Sequence, residues 1–77
     1  MKLELRTHNG GLMFFIGGKS AKKVLEYFLS NSNYVLGSGE KGVNTLHYNG
    51  SEPETIEMLD GEIIFTMFNG GYVKIIN

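Results

Sequence analysis

The chain contains no cysteine, no tryptophan and a single proline, and neither sign of charge dominates among its 77 residues. Without cysteine there is no disulfide staple, no thiolate zinc site and no thiol nucleophile. A core of this size buries only about 60 to 65% of the unfolded chain's surface, so the domain must hold itself together by packing alone or be helped by self-association. Seven Lys and Arg against eight Asp and Glu give a formal charge of -1. That is too little positive charge for a strongly basic nucleic-acid binder. The longest unbroken apolar run, Leu12 to Ile16, is five residues. It is shorter than a secretory h-region or a membrane span, which implies a cytoplasmic protein with no membrane partner.

What is present is glycine, eleven in all, set mostly in turn-forming pairs: Asn9-Gly10-Gly11, Asn49-Gly50, Asp60-Gly61 and Asn69-Gly70-Gly71. These are strong hairpin signals between stretches that alternate or are rich in β-formers. One segment has helical periodicity instead. Ala21, Val24, Leu25, Phe28 and Leu29 fall at i, i+3, i+4, i+7 and i+8, with Ser20 positioned as a cap. The pattern predicts one α+β domain over 1–77. It comprises an N-terminal hairpin, a helix over about 20–31 and a C-terminal meander, with an antiparallel sheet of about five or six strands covered on one face.

Register follows from keeping apolar residues on one face. In the first hairpin a two-residue loop pairs Leu3 with Ile16, Leu5 with Phe14 and Thr7 with Leu12. In the last, a three-residue loop pairs Phe65 with Ile75 and Met67 with Val73. A tight turn at Asp60-Gly61 sets Ile56 opposite Phe65 and Met58 opposite Ile63. The stretch from 52 to 59 satisfies both a strand pattern and a capping box at Ser51 and Glu54, and the strand is preferred.

Three features bear on function. Several strands are apolar on both sides: beyond the core set, Met13, Phe15, Ile64, Phe68, Tyr72 and Ile76 point away from the helix. An uncovered apolar patch marks an interaction surface, so these residues, with Phe15, Phe68 and Tyr72 as anchors, predict a protein partner or a homodimer. Second, Glu52, Glu54, Glu57, Asp60 and Glu62 place five carboxylates in eleven residues. Such a stretch solubilises a surface or faces a basic groove. The halves of the chain differ accordingly, +3 over residues 1–38 and -4 over residues 39–77. Third, Gly37, Gly39 and Gly42 have a G-x-G-x-x-G spacing that superficially resembles a kinase glycine loop. No helix pattern follows it to receive a phosphate, and the chain has no room for the remaining kinase elements. Gly37, Gly39, Glu40, Lys41 and Gly42 are therefore expected to form a mobile hairpin loop.

His8 and His47 are isolated, and each serine lies beside a cap or turn, so no metal site, cofactor site or catalytic grouping is predicted. The expectation is a non-enzymatic protein-binding module, with a small phage- or mobile-element-type inhibitor of a host nucleic-acid enzyme (anti-restriction or anti-CRISPR-like) as its specific form. Two alternatives stand beside it. One is a sheet-surface binder of single-stranded RNA or DNA using Lys2, Arg6, Phe15 and Tyr72. The other is a subunit of a larger assembly.

Overall fold

The computed structural model describes residues 1–37, 43–57 and 64–77. In chain order the elements are β1 (Lys2–Arg6), β2 (Leu12–Gly17), α1 (Gly18–Ser30), β3 (Tyr34–Gly37), β4 (Val43–Tyr48), β5 (Glu54–Glu57), β6 (Ile64–Met67) and β7 (Tyr72–Ile76). Five strands form one antiparallel sheet in the order β2-β1-β7-β4-β3, and β5 and β6 form a separate two-stranded sheet. The chain is thus α+β, with an N-terminal hairpin, one helix and C-terminal strands.

The first hairpin has the register that its apolar alternation dictates, Leu3 opposite Ile16 and Leu5 opposite Phe14. Beyond Leu5 a bulge intervenes, and Leu12 lies opposite Arg6 rather than Thr7. The wider turn has its own bonds: Gly10 N–H donates to Thr7 O, Thr7 N–H to Gly11 O, and Gly11 N–H to the Thr7 hydroxyl, each at 2.9 Å. Gly10 supplies the left-handed φ of +88° that this turn requires.

The helix starts earlier than Ser20. Gly17 is its N-cap and no side chain caps it. Gly18, at φ +66°, turns the chain directly from strand into helix. With no intervening loop the helix begins where the backbone bends, and Ser20 falls inside its first turn. Ala21, Val24 and Phe28 are buried, but Leu29 is 61% exposed. A helix advances about 100° per residue, so Leu29 sits roughly a quarter-turn off the stripe centred on Phe28.

The second Asn-Gly-Gly triplet makes a corner between the two sheets. β6 pairs with β5, setting Ile56 opposite Phe65 as expected. β7 instead enters the centre of the large sheet, with Leu3 and Leu5 opposite Ile75 and Val73 on one side and Leu46 opposite Val73 on the other. The expected pairings of Phe65 with Ile75 and Met67 with Val73 therefore do not form. A strand that buries Val73 and Ile75 and flanks two partners gains two ladders of hydrogen bonds, where a hairpin with β6 would give one. Residues 54–57 are strand; Met58 and Ile63 lie outside the described residues. The helix and the β5–β6 pair share one face of the large sheet. There Phe28 packs against Tyr34 at 4.8 Å, and Phe14 stacks on Phe65 at 5.8 Å between ring centroids.

Candidate functional site

The six outward-pointing apolar residues do not form one patch. Phe15, Tyr72 and Ile76 lie on the open face of the large sheet, interleaved with charge. Cross-strand register sets Phe15 beside Glu4 and then Lys74; Tyr72 lies between Arg6 and His47, and Ile76 between Lys2 and Val43. Lys2 Nζ lies over the Phe15 ring at 5.2 Å, and the Tyr72 and His47 rings are 5.5 Å apart. The Glu4 carboxylate accepts from Arg6 Nη2 at 2.7 Å and faces Lys2 Nζ at 3.5 Å. The Arg6 guanidinium beside it holds its pKa below the usual carboxylate range.

Ile64 stands apart, 62% exposed on β6 in the small sheet. Met13 and Phe68 come together elsewhere. With His8, Thr7, Asn9, Asn69, Gly71 and the buried Met67 they line a groove of about 460 Å³ between the first turn and the inter-sheet corner. The bulge accounts for Met13. It is the extra residue between Leu12 opposite Arg6 and Phe14 opposite Leu5.

This groove includes one residue of β2, Met13. Among the described residues no strand pairs with the outer side of β2. The strand carries no charged residue, and Leu12, Met13 and Phe15 are all exposed. An edge of this kind is unusual, because natural sheets usually blunt their edges with lysine, proline or short length. β3, the opposite edge, is also uncharged, with Val35 and Leu36 exposed, but it is shorter.

The acidic stretch is not a uniform surface. Glu52 and Glu57 are exposed, whereas Glu54 is half-buried; Asp60 and Glu62 lie outside the described residues. Glu54 Oε1 accepts from Tyr27 OH at 2.5 Å and from Asn31 Nδ2 at 2.6 Å, joining β5 to the end of the helix. Tyr34 OH and Glu54 Oε2 are buried with no hydrogen-bond partner among the described residues. The three tyrosines near Glu54 are all pushed to higher pKa. Hydrogen bonding to Glu54 dominates for Tyr27, and burial for Tyr34 and Tyr48, with the Glu54 carboxylate adding to both. The Tyr48 hydroxyl also donates to Glu52 O. At least one of the five carboxylates thus serves the fold.

Gly37 is a strand residue paired with Thr45, not part of a loop. A Cβ there would come within 2.7 Å of the His47 ring, so the glycine is where that ring lies across the open face. Gly39, Glu40, Lys41 and Gly42 lie outside the described residues. His47 Nε2 is 3.2 Å from the Thr45 hydroxyl, and His8 borders the groove. Among the described residues no three His, Asp or Glu are grouped to hold a metal ion, and no helix is long and apolar enough to cross a membrane.

Sequence reasoning missed Leu12, Lys74 and His47. Alternation in β4 and β7 was a signal for the latter two; the bulge that exposes Leu12 has none. Neither a protein family, nor a curated protein, nor a solved structure matches this chain.

Proposed function

We propose that this protein is a non-enzymatic binding module that captures an extended segment of a partner protein by strand addition to β2. The single observation that carries the reading is the uncharged β2 edge, unpaired among the described residues, on a strand whose Met13 lines a groove with Phe68. In strand addition, main-chain hydrogen bonds supply affinity and a neighbouring pocket selects a side chain. The free N–H and C=O groups of β2 would take the first role. Met13, Met67 and Phe68 would receive one apolar side chain, with Thr7, Asn9 and Asn69 as a polar rim. The partner segment is therefore extended and carries an aliphatic or aromatic anchor.

Inhibition of a host enzyme through an anionic patch has less support, because Glu54 is committed to Tyr27 and Asn31. An inhibitory role would instead use the edge.

A library of short extended peptides, each with one apolar anchor, titrated into labelled protein tests the proposal. Amide shifts are expected to cluster in residues 12–17 and 67–71. Phe68→Ser should weaken the best peptide by about tenfold or more, as for an interface anchor. Shifts confined to β3 or to the open face, or an affinity unchanged in both Phe68→Ser and Met13→Asp, would overturn it. So would a stable dimer whose mass falls to 8.6 kDa only when the β2 edge is altered, since the edge would then belong to a second copy.

A further inference from the structure

The uncovered face of the large sheet is a second surface, separate from the β2 edge and groove, and its charge differs from that of the whole chain. Three cations, Lys2, Arg6 and Lys74, project from β1 and β7 on this face, and among the described residues Glu4 is the one acid there. The described residues of this face thus sum to about +2 in a chain of net charge -1. The other described acids lie elsewhere: Glu26 on the helix, and Glu52, Glu54 and Glu57 in or beside β5. Among the described residues no carboxylate pairs with Lys74.

Rings are set among these cations. Phe15 is 51% exposed, and Tyr72 and His47 lie side by side in the same cross-strand row as Arg6. Alternating cations and ring faces on an open sheet complement a strand of phosphates carrying flat bases. A duplex fits less well, because among the described residues no element projects from this face to enter a groove.

From this charge complementarity we infer that the open face of β1, β7 and β4 binds single-stranded nucleic acid. Arg6 and Lys74 contact phosphates, while Tyr72 and Phe15 stack on bases. Lys2, held over Phe15, adds charge at the rim. Glu4 sets a limit on strength. It partly neutralises Arg6 and Lys2, so binding is expected to be modest and strongly dependent on salt.

Fluorescence anisotropy of labelled oligo-dT and oligo-rU of about 12 nucleotides, a length within known single-strand site sizes, tests this with the full chain. Two phosphate contacts predict a log–log salt slope of about -1.4, so affinity should fall about sevenfold between about 50 and about 200 mM salt. Tyr72→Ala is expected to weaken binding about tenfold, as for loss of one stacked base, while Tyr72→Phe keeps it. Lys74→Glu should weaken binding at least as much and flatten the slope. Circular dichroism melts of each variant separate loss of contact from loss of fold.

Three outcomes overturn the inference. One is no retention of either oligonucleotide at the lowest salt. Another is binding that Tyr72→Ala and Lys74→Glu leave unchanged in folded protein. The third is loss of peptide binding, rather than oligonucleotide binding, in those two variants, which would make this face a protein surface. Because Phe68→Ser acts at the groove and Lys74→Glu on the open face, failure of one proposal does not carry over to the other.

Discussion

Glu54 sits in a run of acids, yet its environment is that of an interior group. Its Oε1 takes two short hydrogen bonds, from Tyr27 of the helix and from its cap residue Asn31, while among the described residues its Oε2 and the Tyr34 hydroxyl are buried without partners. Removing an acceptor that satisfies two donors leaves those donors poorly paired, so Glu54→Ala is expected to destabilise by about 2 kcal/mol, read as a lowered urea midpoint at unchanged m-value. Tyr34→Phe removes an unpartnered hydroxyl and should be close to neutral at pH 7. Its effect lies at high pH. All three tyrosines have a native pKa raised above the ordinary value of 10.0, so the stability they contribute is complete below pH 10 and is lost as pH rises beyond it. An alkaline melt series should therefore show Tyr34→Phe unfolding at higher pH than the wild type. No such role is visible from the sequence, where Glu54 is indistinguishable from Glu52 and Glu57; only the arrival of the helix end beside β5 separates them.

Elements are joined here with little connecting chain, and two glycine junctions illustrate the result. Gly18 carries φ +66° at the passage from β2 to α1. Nothing lies within 4 Å of a Cβ placed there, so the penalty for Gly18→Ala is conformational rather than steric, about 1 kcal/mol, measurable as a fall of several degrees in Tm. The β2 edge gives the complementary prediction. Leu12 is 57% exposed, so Leu12→Lys should change stability by no more than about 0.5 kcal/mol. The same change puts a charge on a bare edge and is expected to abolish peptide capture and reduce any self-association, seen by light scattering. The helix and its buried stripe were legible because a period of 3.6 has few competitors over its length. Its starting point was not. A capping serine and a left-handed glycine are both valid starts, and the choice between them depends on the direction in which β2 delivers the chain.

At the scale of the whole molecule the decisive event is the return of the last strand. β7 pairs with both β1 and β4, so the two ends of the chain meet at the middle of the sheet. A chain truncated before Tyr72 loses the central ladder, and Leu3, Leu5 and Leu46 each lose one of their two cross-strand partners. That truncation is expected to yield no cooperative thermal transition in circular dichroism, whereas removing Asn77 alone should leave the transition intact. This topology also segregates charge. The register that buries Val73 and Ile75 turns Lys74 outward beside Glu4, and it gathers cations that are far apart in sequence onto one open face.

The sequence by itself determined the order of hairpin, helix and C-terminal strands, the helix's buried stripe, the registers of Leu3 with Ile16 and Ile56 with Phe65, and the division of charge between the halves of the chain. Those properties are local or periodic, and a slip of one residue would have exposed a whole apolar face. Only the tertiary structure decided which strands neighbour one another. The two Asn-Gly-Gly triplets are the clearest case: the first closes a hairpin and the second turns a corner between sheets, although their residues are the same. A turn sequence specifies a reversal of backbone direction, but whether the next strand stays with the last depends on which distant edge offers more apolar area and a second ladder of hydrogen bonds. For the same reason Met13 and Phe68 share a groove, Phe15 and Tyr72 share a face, and Ile64 joins neither.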